Sequence, residues 1–183
     1  MVLFPRKRRN ERQAAELIYE ACRVAARQPS LYAQGGVPDT LQGRFEMLAL
    51  MLFPVLNRLM HEPGDDPELA RLISEVFVED MDAVFREMGV SDPTVPKRMQ
   101  TLYRSFGGRI TAYRNALRES EDALNGAVAR NVFPATQADG RSEALASYLK
   151  RAVRAIAAVE LTALRRGAVP FPVMNGEEGA GSR

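Results

Sequence analysis

Apolar residues recur at three- and four-residue intervals along most of this chain, and no stretch alternates apolar and polar positions for long enough to make a strand. The spacing predicts six helices. The first covers residues 10–28, with Asn10 and Gln13 as a capping pair, Ala14, Leu17, Ile18, Ala21, Val24 and Ala25 at helical spacing, and Pro29 as its end. The second covers 39–61 and differs in kind. Leu41, Phe45, Leu48, Leu52, Val55, Leu56 and Leu59 fall on one side, while Met47, Leu50, Met51 and Phe53 occupy the others. A helix apolar nearly all round is central in a bundle or offers a face to something else. Asp39 or Thr40 caps it, and Gly35, Gly36 and Pro38 keep the preceding residues irregular.

A third helix, 65–88, starts behind Asp65 or Asp66 and carries eight acids against Arg71 and Arg86. Its inner stripe is Leu69, Ile73, Val76, Ala83 and Val84, with Asp80 in the middle. A carboxylate there either meets a donor, with Arg44 and Arg109 as candidate ion-pair partners, or rotates into water. The fourth helix, 95–118, sets Met99, Leu102, Tyr103, Phe106, Ile110, Tyr113 and Leu117 at helical spacing, and its charges from Lys97 to Arg118 are all positive. Gly107 and Gly108 in mid-helix cost about 1 kcal/mol each relative to Ala, which points to a close helix approach or to a groove. A fifth helix spans 120–131. A sixth, alanine-rich, runs over 142–166 and stops at Gly167. The expected fold is an all-α, single-domain helical bundle of about six helices, with the domain at 10–167 between a flexible basic N-terminus, 1–9, and a flexible C-terminal tail, 168–183.

Composition narrows the function classes. A chain of 183 residues suits one domain that buries roughly two thirds of its unfolded surface. The lone Cys22, on the apolar face of the first helix, is a core residue and excludes an internal disulfide, which fits a reducing compartment. The start of the chain lacks the charge order of a secretory signal, and no apolar run reaches the length of a membrane span. A balance of 25 basic and 23 acidic residues argues against a DNA binder. No phosphate-binding Gly-rich loop, His-Glu-x-x-His, Cys-x-x-Cys or Gly-x-Ser-x-Gly occurs. Asp80 and Asp82 diverge by about 200° around a helix, so they do not make a magnesium site. His61 stands alone at a helix end and cannot build a usual zinc site. The expectation is no catalytic residue, no metal, no cofactor and no enzyme.

Several clusters in register carry more. Pro29-x-x-Tyr32, Val37-Pro38-Asp39-Thr40-x-x-Gly43-Arg44-Phe45-Glu46, Asp80-x-Asp82, Arg86-Glu87-Met88-Gly89-Val90-x-Asp92, Val95-Pro96-Lys97-x-Met99 and Tyr113-x-x-Ala116-Leu117 resemble the ubiquinol–cytochrome c chaperone family, in its shorter bacterial form. The likeness covers residues 29–133 in order and departs at Ser91 and Arg98, where the family pattern has Gly and Lys. It implies an all-α assembly factor that binds cytochrome b, the membrane-embedded haem subunit of the bc1 complex. On that basis the client-binding surface is expected at Tyr32, Val37, Pro38, Phe45, Met47, Met51 and Phe53, a loop–helix junction with an adjoining apolar groove. The protein is expected in the cytoplasm, peripheral on the inner membrane through a contact of its basic N-terminus with anionic lipid, and near the ribosome. The alternative is a membrane-tethering or ribosome-contacting helical protein with no cytochrome b client.

Overall fold

A computed structural model describes residues 3–61, 64–87, 95–133 and 140–174. Among them the chain forms eight helices and no strand: α1 (Leu3–Ala26), α2 (Pro29–Ala33), α3 (Leu41–His61), α4 (Pro67–Glu87), α5 (Val95–Glu119), α6 (Glu121–Val132), α7 (Arg141–Ala157) and α8 (Leu161–Leu164). The six expected helices are present, with α2 and α8 added. Short polar side chains start three of them by accepting a free N–H of the first turn. Thr40 Oγ1 takes the Gly43 amide at 3.1 Å, Asp66 Oδ1 the Leu69 amide at 3.1 Å, and Ser120 Oγ the Ala123 amide at 3.0 Å.

α3 is the axis of the bundle. It touches α1, α4, α5, α6 and α7, and every residue over 46–59 is buried. Its girth is apolar because neighbours surround it. α1 crosses α4, and α5, α6 and α7 pack in succession. Ion pairs join neighbouring helices at their rims: Arg12 of α1 with Glu79 of α4, Lys150 of α7 with Glu121 of α6, and Arg165 with Asp66 at the start of α4. The two exposed pairs, Arg12–Glu79 and Lys150–Glu121, add at most about 1 kcal/mol each. The core does the rest.

The folded part extends outward at both ends. α1 begins at Leu3 rather than at Asn10, so the backbone of residues 3–9 is helical. At the other end, Val169 and Phe171 pack against the core, Met174 is buried, and Arg151 donates to the carbonyls of Val173 at 3.3 Å and Met174 at 3.5 Å. Residues 168–174, the first part of the expected tail over 168–183, therefore pack on the bundle, and the rest of that tail lies outside the described residues. The long sixth helix breaks after Ala157, although neither Gly nor Pro stands there. Glu160 turns extended and its carbonyl accepts the first bonds of α8. The bend buries Leu164 fully and lets Gly167, at φ +85°, rest against Leu17. Packing overrides the helix propensity of Ala157-Ala158.

Two expectations fail on packing. Gly107 and Gly108 face open space, with nothing within 4 Å of the position a Cβ would take, so no helix approaches them closely. Asp80 pairs with neither Arg44 nor Arg109. Its Oδ2 accepts the Tyr19 hydroxyl at 2.6 Å, and Arg23, also on α1, faces it. The acid did need a donor, but α4 packs on α1 rather than presenting this face to α5. Arg44 instead bonds Asp39 at 2.7 Å, and Arg109 bonds Glu46.

Candidate functional site

The start of α3 and the end of α4 meet beside two adjoining hollows. One, of about 340 Å³, is completed by Arg23 and Ala26 of α1, Arg27 just after it and Tyr32 of α2. The other, of about 420 Å³, is completed by Thr101, Leu102 and Ser105 of α5. Leu41, Phe45, Met81 and Val84 wall both, which makes one groove with a charged end toward α1, where Arg23, Arg27 and Arg44 stand with Asp80 and Glu87, and an apolar end toward α5. Leu41 is 52% exposed there, an unusual state for a leucine that opens the most apolar helix of the chain.

Local sequence builds the groove's edge. Pro29 occupies the first turn of α2, and the Tyr32 hydroxyl donates to the Ala26 carbonyl at 2.7 Å, tying α2 to the end of α1. Burial pushes the Tyr32 phenol above its ordinary range. Val37, only 3% exposed, anchors the connection to the core, and the chain then turns so tightly that a Cβ at residue 43 would sit 1.9 Å from the Pro38 carbonyl oxygen. Only glycine fits at Gly43. Arg44 points outward to Asp39, whose carboxyl it holds below the usual range.

Beneath the groove lies a buried polar group. Glu46 has a side chain 1% exposed, and both its carboxylate oxygens receive N–H groups of Arg109 from α5. Gln42 donates to the same carboxylate. The second Arg109 Nη donates to the Ser105 hydroxyl at 2.7 Å and carbonyl at 3.0 Å, and the guanidinium lies 5.1 Å from the Phe45 ring centre. Glu46 keeps the Arg109 guanidinium charged despite burial, its pKa raised. The sequence points to Arg109 as an ion-pair residue but to the wrong acid as its partner. A lone acid at the start of the most apolar run is the signal that marks Glu46.

The expected client surface divides in two. Tyr32 and Phe45 line the groove, and Pro38 is half-buried at the turn leading into it. Met47, Met51 and Phe53 have no exposed surface and Val37 almost none, so they cannot face a client. Met51 receives the Tyr148 hydroxyl on its sulfur and Phe53 packs on Tyr113, contacts of a core. In their place stand Met81, Val84 and Phe85 of α4 and Leu102 of α5, all half-buried. Met81 and Phe85 lie off the inner stripe of an otherwise acidic helix, which is where the sequence carried the hint. No cluster able to hold a metal ion occurs among the described residues.

The model of the ubiquinol–cytochrome c chaperone family matches residues 33–171. The chain belongs to that family. A solved structure, that of the Cbp3 homolog from Brucella abortus, is similar to this chaperone-family chain at 36% identity and a TM-score of 0.82, over 94% of this chain and 96% of the other. None of the curated proteins matches. The family resemblance read from the motifs therefore holds, and the all-α architecture with it. No helix among the described residues is long and apolar enough to cross a membrane.

Proposed function

We propose that this chain is a non-enzymatic assembly chaperone for the ubiquinol–cytochrome c reductase complex, and that it holds an apolar segment of cytochrome b in the groove between α3, α4 and α5. The observation that carries the reading is the placement of the Gly43-Arg44-Phe45-Glu46 motif. Its Arg44 and Phe45 line the groove, where half-buried Phe45, Met81, Val84, Phe85 and Leu102 gather around an exposed Leu41. A membrane-protein segment outside its bilayer needs apolar cover, and burial of apolar surface supplies roughly 25 cal/mol per Å². Methionine adapts to varied shapes at such a surface.

The test is capture of cytochrome b from the native host by Leu41→Asp and Val84→Asp variants. Both positions are on the groove and off the closed core, so the variants keep their helical circular dichroism. Capture falling by tenfold or more is expected; capture at the unaltered level with both variants refutes the groove as the client site. A second reading concerns location. The start of α1 carries exposed Arg8 and Arg9, which suits a peripheral contact with anionic lipid on the cytoplasmic face. Flotation with anionic liposomes that weakens steeply with salt supports it, and flotation indifferent to an Arg8→Glu/Arg9→Glu change refutes it.

A further inference from the structure

The Glu46–Arg109 pair is poorly explained as a device for stability. Both ions leave water to form it, and a buried pair of this kind is often matched or exceeded in stability by apolar residues of similar volume. Its contacts point elsewhere. The guanidinium spends two N–H groups fork-on-fork on Glu46 and a third nitrogen on Ser105, which fixes its plane, and that plane backs the Phe45 ring at 5.1 Å. Phe45 also meets Phe77, ring centres 6.3 Å apart, and Phe77 stacks on Phe106 at 4.3 Å. Three groove-lining residues, Gln42, Phe45 and Ser105, thus touch one buried ion pair, and they come from both walls, α3 and α5.

We infer that Glu46 and Arg109 are positioning residues for the groove: the pair sets the spacing of α3 against α5 and holds Phe45 as a rigid wall, so that the client segment meets a preformed surface. This rests on the groove being the client site. A preformed wall spares the ordering cost that a mobile aromatic would add to binding. Lysine cannot replace Arg109 in this role, because an ammonium has the charge without the planar fork.

The experiment compares the unaltered chain with Arg109→Lys, with the double variant Glu46→Leu/Arg109→Met, and with Val84→Asp as a groove variant that leaves the pair intact. Each is scored for melting temperature, for affinity toward detergent-solubilised cytochrome b, and for ring mobility by NMR with labelled phenylalanine. The expected result is a double variant that melts no lower than the unaltered chain, yet binds at least tenfold more weakly and shows a loosened Phe45 ring before any client is added. Arg109→Lys loosens the same ring and weakens binding by a few-fold to tenfold. A double variant with unchanged affinity and an unchanged Phe45 signal, while Val84→Asp loses binding, overturns the positioning role and leaves the groove standing. A double variant whose melting temperature and affinity drop together, with Arg109→Lys silent in the ring signal, shows a structural pair only and also overturns it. Should neither Val84→Asp nor the double variant weaken binding, the groove fails as the client site and the inference falls with it.

Discussion

Tyr19 and Asp80 test how α1 is held on α4. Tyr19 is 4% exposed and its hydroxyl donates to Asp80 at 2.6 Å. Tyr19→Phe deletes a hydrogen bond to a charged acceptor, a class worth about 1.5–3 kcal/mol. Asp80 is only half-buried, so water takes up part of the acceptor. The net loss is then about 1–2 kcal/mol. Asp80→Ala leaves the phenol without its acceptor in a buried place, a loss of about 1–3 kcal/mol. The double variant removes both ends at once, and its loss falls short of the sum of the two by about 1 kcal/mol. For a chain of this length each kcal/mol moves the melting temperature by about 2–4 °C. Urea and thermal unfolding followed by far-ultraviolet circular dichroism measure all four corners of the cycle. A coupling below about 0.3 kcal/mol would mean that Asp80 finds its stabilisation elsewhere, and the account of the α1–α4 contact would be wrong.

Other outcomes follow from single features. Gly107→Ala and Gly108→Ala meet open space, so each raises stability by about 1 kcal/mol through helix propensity alone, and a fall in melting temperature would show that the backbone there is needed bare. Burial pushes the phenols of Tyr19, Tyr113 and Tyr148 well above their ordinary range. The folded chain keeps protons that the unfolded chain releases above about pH 10, so stability is intact below that pH and falls by about 1.4 kcal/mol per unit for each such group as pH rises. Urea titrations across this range should show a shallower slope in Tyr148→Phe, and an equal slope would refute the assignment. Cys22 is fully buried and its thiol pKa is pushed up by burial. A disulfide reagent should label it only after denaturant is added; rapid labelling of the native chain would contradict its place in the core.

What the sequence disclosed and what it withheld follow from the range of the physics involved. Helix starts at Asp39 or Thr40 and at Asp65 or Asp66, where the structure selects Thr40 and Asp66, and stripes such as Leu145-Leu149-Ile156 are decided within a few residues and were legible. The family motif also read correctly, since it needs only order and spacing. The burial of Met47, Met51 and Phe53 is different. A helix apolar on every side says that all sides are covered, and sequence does not say whether the cover is a client or α1, α5, α6 and α7. The partner of Asp80 was missed for the same reason. Any arginine of a basic helix satisfied the electrostatic need, whereas the choice fell to the phenol of Tyr19, which had no charge to advertise it. The break after Ala157 lies on the same side of that divide, because only the tertiary position of Leu164 requires it.

The enclosure of α3 has a consequence for how the chain is made. Its cover is completed by α7, whose last residue, Ala157, leaves the ribosome about 100 residues after the end of α3. At roughly 5–20 residues per second that is an interval of about 5–20 s. Throughout it the nascent chain carries the apolar run over 47–56 with only α1, α4, α5 and α6 to shelter it as they arrive in turn. The early α1–α3 and α3–α4 contacts are therefore the ones that keep the growing polypeptide from aggregating, and lesions at those contacts should lower the yield of soluble product more than their effect on the stability of the finished protein.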